Sequence, residues 1–290
     1  MLCVNQFLHA ILLQLLVAYR STAPSSWAQP LLLVRHVDLR REPRHRSETS
    51  SRDARPTPSH CAETGQAATV EDVDIVDQRL PLCAAAHQLA AAGTSLSTGG
   101  NLSVRVGDRV LVTPSGARLD AVQPDQLIVV DMDGAVIEET RYRPTSELRF
   151  HLDLYRSTSA SAIAHAHPMA SVAVSAITEL LPPIHYDAAM VGGSVRVAPY
   201  AVFGSAELSE GVVAALFERT AALMRNHGSV AIGGNIETAC EHLGVVEWLS
   251  EVYLKALSAG SPAVLSDEHL TEVVATAARR SYRPFPGHDR

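Results

Sequence analysis

The hydrophobic pattern divides the chain near residue 70. Beyond that point, short alternating apolar runs typical of strands intermingle with longer runs at helical spacing, and no segment repeats. This mixture predicts one α/β domain built in layers over residues 70–283. Pro81 predicts a kink in the first helix. We expect helices over 70–92, 144–155, 170–177, 206–217, 236–258 and 267–279, and strands over 102–106, 110–113, 127–131, 160–167, 194–197, 222–225 and 229–232.

Residues 1–69 differ in character from the rest. An apolar run over 7–19 precedes a stretch rich in Arg, Ser and Pro over 35–58. The run is too short to span a bilayer, and although it resembles the core of a signal peptide, no basic residue precedes it. The polar stretch cannot bury enough apolar surface to order itself. We therefore expect 1–69 to be a disordered extension or to reflect a mis-assigned start, with a cleaved signal peptide as the alternative, and 284–290 to be a short tail.

Charge and cysteine content exclude several classes of protein. The chain has 24 basic and 31 acidic residues, a net charge of −7, which argues against a general nucleic-acid binder. Its four cysteines lie far apart without a CxxC pair, so neither a disulfide framework nor a thiolate zinc site is indicated. We expect a cytoplasmic protein with no nucleic-acid or membrane partner.

Lysine is almost absent from the sequence. Lys255 is the only one, and it falls in the helix expected over 236–258, with no candidate site residue near it in sequence. A Schiff-base enzyme uses a lysine amine as its nucleophile. An imine route to a carbanion is therefore disfavoured.

A pair of histidines indicates a metal site. His165 and His167 close an apolar run, and residues two apart on a strand project from the same face. Two imidazoles so placed can share one cation, and zinc usually takes a third protein ligand.

The third ligand must come from elsewhere in the chain. His227 is the best candidate, because it follows an apolar strand and precedes a glycine. His185 is the competitor. His151 and His242 fall within expected helices, where surface or core roles are more typical.

A carboxylate and several donor-rich loops complete the candidate chemistry. Glu147 stands where a helix is expected to begin, so it is either a helix-capping acid or an acid/base group. Thr145 and Ser146 beside it expose backbone N–H groups that favour an anion. The loops 99–101 and 113–116 are small and equally rich in donors.

Five motifs occur in one order: GGNLSVR (99–105), LVTPSG (111–116), RPTSELRFH (143–151), AIAHAHP (162–168) and MRNHG (224–228). This series resembles the class II aldolase/adducin family, which contains zinc-dependent sugar-phosphate aldolases and epimerases. The resemblance covers about residues 72–283, and the segment 181–210 is similar to the branch that cleaves L-fuculose 1-phosphate. It implies a single α/β/α domain with a central, mainly antiparallel sheet, one zinc ion per subunit, and a homotetramer with active sites at the subunit interfaces.

The resemblance also implies roles for individual residues. Glu147 matches the acid/base glutamate, which also approaches the metal when no substrate is present. Tyr186 matches a proton donor on the aldehyde side that serves a neighbouring subunit, and Tyr282 loosely matches a tyrosine of the aldolase tail. The zinc-binding positions are His165, His167 and His227. The positions that hold the substrate phosphate are Asn101, Ser115, Gly116, Thr145 and Ser146.

The activity implied is reversible cleavage of a ketose 1-phosphate to dihydroxyacetone phosphate and an aldehyde through a metal-stabilised enediolate. Asp187 after Tyr186, and Pro168 after the histidine pair, depart from the aldolase pattern. They leave open a zinc-dependent pentulose-5-phosphate 4-epimerase or a related dehydratase or decarboxylase. A non-catalytic scaffold, as in adducin, is a further alternative that the complete set of histidines disfavours.

Overall fold

The structure is a computed structural model that describes residues 75–94 and 98–280. The expectations for residues 1–69, for Tyr282 and for the tail 284–290 lie outside these residues. None of the helices in the described ranges is both long and apolar enough to cross a bilayer.

Eight strands form one sheet in the order β3-β2-β1-β4-β8-β7-β6-β5. Neighbouring strands are antiparallel except β6 and β7, which are parallel, so the expected mainly antiparallel sheet is confirmed. The strands are β1 (Asn101–Val106), β2 (Arg109–Val112), β3 (Ile128–Asp131), β4 (Ala162–Ala166), β5 (Leu180–Leu181), β6 (Val195–Ala198), β7 (Ala221–Met224) and β8 (Gly228–Gly233).

Helices cover both faces of this sheet. They are α1 (Arg79–Ala91), α2 (Leu148–Ser157), α3 (Met169–Ile177), α4 (Ala206–Ala215), α5 (Ile236–Ala259) and α6 (Asp267–Arg279), with 3-10 turns at Pro124–Gln126 and Tyr186–Val191. Buried side chains of α1, α3 and α5 share one core with the sheet, and those of α2 and α4 share another. Along β4, Ala162 and Ala164 belong to the first core and Ile163 to the second, which is the period-2 alternation of a strand covered on both faces.

Two helix starts differ from the expectation. The helix expected over 70–92 is interrupted at Gln78, and Pro81 lies in the first turn of α1, where its missing N–H removes no helical hydrogen bond. The kink predicted at Pro81 was therefore wrong. Helix α2 begins at Leu148, later than expected, with Glu147 in the N-cap position. The short strand β5 was not predicted.

The pairing of β1, β4 and β8 brings distant motifs together. Asn101 pairs with His165 across β1 and β4, and His165 pairs with Val230 across β4 and β8. Gly228 allows the close approach, because a Cβ at this position would lie 2.3 Å from the carbonyl oxygen of Ala166. The loop that carries His227 therefore returns directly beside the end of β4.

Candidate active site

Three histidines converge at the ends of β4 and β7. His165 is fully buried in β4, His167 follows the strand, and His227 lies in the tight turn between β7 and β8. One ring nitrogen from each lies within 4.8 Å of the others. The structure thus brings the histidine pair together with His227, the best candidate for a third ligand in the sequence. His185 lies elsewhere, packed against the ring of Trp248.

The hydrogen bonding of His165 at Nδ1 leaves its other ring nitrogen, Nε2, free to act as a ligand or hydrogen-bond acceptor. Its Nδ1 lies 2.8 Å from the carbonyl oxygen of Ser229 and therefore donates to it. The Nε2 lone pair then points into the cluster, where it lies 3.1 Å from Nε2 of His167. A second hydrogen bond that fixes the tautomer in this way is typical of a metal-binding imidazole.

Burial keeps the other two imidazoles neutral. Loss of solvation, reinforced by the imidazoles of His165 and His227, lowers the pKa of His167 to about 3. Loss of solvation, reinforced by His165, lowers the pKa of His227 to about 4. Neutral imidazole is the form that binds a metal. The cluster therefore presents ligand-competent nitrogens at neutral pH.

Glu147 completes the cluster from the start of α2. Its side chain makes no capping hydrogen bond, although Glu147 occupies the N-cap position, so the helix-capping interpretation was wrong. Instead Oε2 lies 3.2 Å from Nε2 of His165, and Oε1 lies 3.4 Å from Nε2 of His227. Oε1 is buried without a hydrogen-bond partner among the described residues.

The charge of Glu147 follows from its neighbours. Burial raises its pKa, but the imidazoles of His165 and His227 and the amide of Asn101 outweigh burial and lower the pKa well below its ordinary value. Three imidazole nitrogens and an unpartnered carboxylate oxygen form a donor set that suits zinc and other first-row divalent metals. These residues fit a bound metal ion.

Two loops expected to bind phosphate run side by side next to Glu147. The backbone N–H of Ser115 donates to the carbonyl of Arg143 at 2.8 Å, and that of Thr145 donates to the carbonyl of Thr113 at 3.2 Å. The hydroxyl of Thr145 accepts the N–H of Glu147 at 3.3 Å. The loops are therefore held to each other and to the start of α2.

The remaining phosphate candidates divide into two groups. Ser115, Gly116 and Ser146 are exposed on these loops. Asn101 is buried, and its Nδ2 donates to Oε2 of Glu147 at 2.9 Å. Asn101 thus contacts the candidate acid/base group directly, which its position in a glycine-rich loop did not suggest.

Tyr186 is not part of this cluster in the chain itself. It begins a 3-10 turn, is 54% exposed, and its ring lies 4.2 Å from that of His185 between centroids. Within the described residues it makes no hydrogen bond or ring contact with the three histidines or Glu147. Oδ2 of Asp187 lies 3.5 Å from Nδ1 of His185, and no ion pair joins Asp187 to the three histidines in the described part of the chain.

Lys255 is exposed at the surface and takes part in an ion pair there. Its side chain is 76% exposed on α5 and forms an ion pair of 3.2 Å with Glu251. Since the sequence has no second lysine, no lysine side chain is available to form an imine at the cluster.

His151 is the site neighbour that the sequence reasoning missed. Expected at the surface or in the core, it is fully buried, and its Nε2 lies 2.5 Å from Oδ1 of Asn101. The available signal was the spacing of His151 and Tyr155, four residues apart on one helix face, opposite Asn101 and Ser103, two apart on a strand.

Comparison with known families agrees with this geometry. Residues 81–254 match the family described as Class II Aldolase and Adducin N-terminal domain. The chain therefore belongs to the class II aldolase and adducin family.

The names of similar proteins indicate the class of enzyme within this family. The chain is 36% identical over 194 residues to a 5-methylthioribulose-1-phosphate/5-deoxyribulose-1-phosphate aldolase of Rhodospirillum rubrum, covering 66% of this chain and 86% of the relative. It is 38% identical over 190 residues to an L-fuculose phosphate aldolase of Escherichia coli, covering 64% and 87%. A solved structure of an L-fuculose 1-phosphate aldolase superposes with a TM-score of 0.66 at 32% identity, covering 71% of this chain and 97% of the other. The protein is a class II sugar-phosphate aldolase, a carbon–carbon lyase.

Proposed function

We propose that this chain is a zinc-dependent aldolase that reversibly cleaves a ketose 1-phosphate to dihydroxyacetone phosphate and an aldehyde. The observation that carries the proposal is the convergence of His165, His167 and His227 on the unpartnered Oε1 of Glu147. A zinc ion held by the three histidines would polarise the substrate carbonyl, which makes negative charge on the adjacent carbon less costly.

Glu147 is proposed as the acid/base group. In the condensation direction its buried carboxylate removes a proton from C3 of dihydroxyacetone phosphate, and the electron pair left on C3 forms the bond to the aldehyde carbon. In cleavage the C3–C4 bond breaks, its electron pair returns to C3, and the protonated Glu147 delivers the proton there. The position of Glu147 supports this assignment, because its carboxylate is buried against the imidazoles of His165 and His227.

Tyr186 is proposed to serve the aldehyde oxygen. Its hydroxyl donates a proton to that oxygen as the C3–C4 bond forms and takes it back during cleavage. Because Tyr186 is exposed and, among the described residues, makes no hydrogen bond or ring contact with the cluster of its own chain, we infer that it acts at the site of a neighbouring subunit in a homotetramer. We also infer a cytoplasmic enzyme.

The donor-rich loops are proposed to hold the phosphate. Their exposed positions, Ser115, Gly116 and Ser146, offer hydroxyl and backbone N–H donors beside Glu147, and Thr145 ties the two loops together. The second N–H of the Asn101 amide can add a further donor, since the first binds Glu147. A phosphate held there would fix the three-carbon half of the substrate relative to the acid/base group.

The substrate class is inferred from the relatives. L-fuculose phosphate aldolases and the 5-deoxyribulose-1-phosphate aldolases share about the same degree of identity with this chain. Both names specify sugar phosphates that can yield the same phosphorylated three-carbon product. We propose ketose 1-phosphates with a small or deoxygenated aldehyde end as substrates.

The epimerase alternative has less support. It requires acid/base groups on both faces of a bound aldehyde, and Asp187 was the one sequence feature that suggested a second group. Its carboxylate lies beside His185 instead, and in the described part of the chain it contacts neither Glu147 nor the histidine cluster.

The proposal is tested by measuring release of dihydroxyacetone phosphate in a coupled assay with NADH. The panel contains L-fuculose 1-phosphate, 5-deoxyribulose 1-phosphate, 5-methylthioribulose 1-phosphate and ribulose 5-phosphate. We expect cleavage of at least one ketose 1-phosphate, loss of activity after chelation, and recovery with zinc. Interconversion of pentulose phosphates without release of dihydroxyacetone phosphate would establish the epimerase, and inactivity towards all four would refute the proposal.

A further inference from the structure

A buried chain of hydrogen bonds leads from the interior to Glu147. The hydroxyls of Tyr155 and Ser103 lie 2.7 Å apart, and Oγ of Ser103 lies 2.7 Å from Nδ1 of His151. His151 Nε2 and Oδ1 of Asn101 are 2.5 Å apart, and Asn101 Nδ2 donates to Glu147 Oε2 at 2.9 Å. Tyr155, Ser103 and His151 are at most 1% exposed, so water does not substitute for these contacts.

The direction of donation along this series of hydrogen bonds is determined by the groups at its ends. An ionised carboxylate only accepts hydrogen bonds, so Asn101 must turn its amide nitrogen towards Glu147 and its oxygen towards His151. His151 must then carry its proton on Nε2. Burial lowers the pKa of His151 to about 3, so the ring is neutral and Nδ1 is an acceptor. Ser103 therefore donates to Nδ1 and accepts the O–H of Tyr155.

The reverse direction would be unfavourable at the site. If His151 carried its proton on Nδ1, its Nε2 would accept, and Asn101 would rotate to donate to it. The oxygen of the Asn101 amide would then face the carboxylate of Glu147, and two acceptors would be in contact without a proton.

The chain distinguishes the two oxygens of Glu147. Oε2 is held by Asn101, whereas Oε1 has no hydrogen-bond partner in the described residues. We propose that Ser103 and His151 are positioning residues that hold the Asn101 amide as a donor to Oε2, and so leave Oε1 as the oxygen that exchanges the proton with substrate. This inference rests on the role of Glu147 in the proposed function.

Ser103 is the side chain that holds the far side of the His151 ring. In Ser103→Ala, His151 loses the donor at Nδ1 and is held less firmly against Asn101, so we expect kcat/KM to fall about 10-fold or more, with zinc content unchanged. Tyr155→Phe should have a smaller effect, because Ser103 can still donate to His151. Ser250→Ala is the matched control, since Ser250 is equally buried but donates only to the carbonyl of Val246 within α5.

A second pair of variants tests His151 itself. His151→Leu removes the donor to Asn101 and should reduce kcat/KM about as much as Ser103→Ala. His151→Gln offers an amide N–H at a similar position and should restore part of the loss. A role in stability alone predicts that the losses follow the free energies of unfolding of these variants, with no special recovery in His151→Gln.

Nitrogen-15 NMR of the imidazole rings tests the direction without measuring activity. We expect His151 of the zinc-loaded wild-type protein to be protonated at Nε2 and not at Nδ1, and to keep this tautomer in Ser103→Ala, where Nδ1 has no acceptor for a proton. Protonation at Nδ1 in the wild type would overturn the inference, as would unchanged kcat/KM in Ser103→Ala. If the wild-type protein cleaves no ketose 1-phosphate, the proposed function fails, and the tautomer still decides the direction of the chain.

Discussion

Glu147 and Tyr186 are assigned to the two ends of one reaction, yet they lie in opposite surroundings. Glu147 is 5% exposed, contacts two imidazoles of the cluster, and is held by the amide of Asn101. Tyr186 is 54% exposed, and its ring packs against the neighbouring ring of His185. The first group is built into the sheet and its helices, whereas the second stands on a short turn at the surface.

Under the proposed function, this difference separates the chemistry that one chain would complete from the chemistry that it would not. The proposed metal ligands and Glu147 come from strand ends and a helix start that the sheet fixes, so the groups proposed to act at C3 lie within a single fold. The proposed aldehyde end depends on an exposed segment. A change of sugar can therefore occur at the exposed end while the buried end stays intact, in agreement with relatives that act on different ketose phosphates.

The largest expected effect is loss of the metal. His227→Ala leaves two histidines, one fewer than the three protein ligands that catalytic zinc sites usually have. We expect the zinc content to fall from about one ion per chain to near zero after dialysis, with activity falling in parallel. Elemental analysis measures the zinc content. His185→Ala is the control and should keep its zinc, because His185 packs against Trp248 away from the cluster. Unchanged zinc in His227→Ala would remove His227 from the ligand set.

The second-largest expected effect is that of a change at Glu147, which separates the loss of catalysis from the loss of metal binding. Glu147→Gln cannot accept a proton, so we expect turnover to fall at least ~10²-fold while zinc stays bound. Glu241→Gln, at an exposed position of α5, should behave as the wild type. Steady-state kinetics and zinc content of both variants decide the matter, and near wild-type turnover in Glu147→Gln would end its assignment as the acid/base group.

A smaller effect is expected at the exposed end. Tyr186→Phe removes the hydroxyl proposed to serve the aldehyde oxygen but leaves the histidines and Glu147 in place, so we expect turnover to fall about 10-fold with zinc content unchanged. Steady-state kinetics of the variant measures the fall.

Mixing variants sharpens the comparison between the two ends. Hybrid oligomers of Tyr186→Phe and Glu147→Gln, formed by co-expression, contain sites with an intact glutamate from one chain and an intact tyrosine from another. Their activity should exceed the average of the two separate variants several-fold. Activity equal to that average would mean that both groups act within one chain.

The smallest effect concerns the stability of the buried end. Burial, with His165 as the next cause, lowers the pKa of His151 to about 3, so the folded protein keeps this ring neutral while the unfolded chain protonates it near pH 6.5. Between about pH 7.5 and about pH 5.5 the unfolded state therefore binds a proton that the native state does not, and stability falls by about 1 kcal/mol from this ring alone.

Glu147 does not alter this expectation. Its lowered pKa keeps the carboxylate ionised in the folded protein throughout the interval. Urea unfolding of the metal-free protein at the two pH values measures the fall in the free energy of unfolding. In His151→Gln the fall should be smaller by about 1 kcal/mol, and equal falls in the two proteins would contradict a neutral buried His151.

The sequence indicated the three histidines of the cluster more clearly than the role of Glu147 beside them. His165 and His167 were recognisable because two ligands on one strand share a face, and His227 because it precedes a glycine at a strand end. The role of Glu147 could not be separated from helix capping until the direction of its side chain was known. That direction depends on contacts with residues far along the chain, which local patterning does not encode.

The hydrogen-bonded chain behind Glu147 illustrates the same limit. Ser103 and His151 lie 48 residues apart in sequence, and only the packing of α2 against β1 brings their side chains together. The wrong prediction at Pro81 has a local cause. Pro81 predicts a kink in a continuous helix but is compatible with the first turn of a new one, and its residue type cannot distinguish the two.

The isolated position of Lys255 has a chemical consequence for an enzyme of this class. An aldolase releases aldehydes, and simple aldehydes condense with the unprotonated amines of lysine side chains. Here only one such side chain exists, on the exposed surface of α5 and paired with Glu251. The aldehyde product of the reaction therefore has a single lysine side chain to modify. For the same reason an amine-reactive label or solid support would attach to Lys255 and otherwise only to the chain terminus.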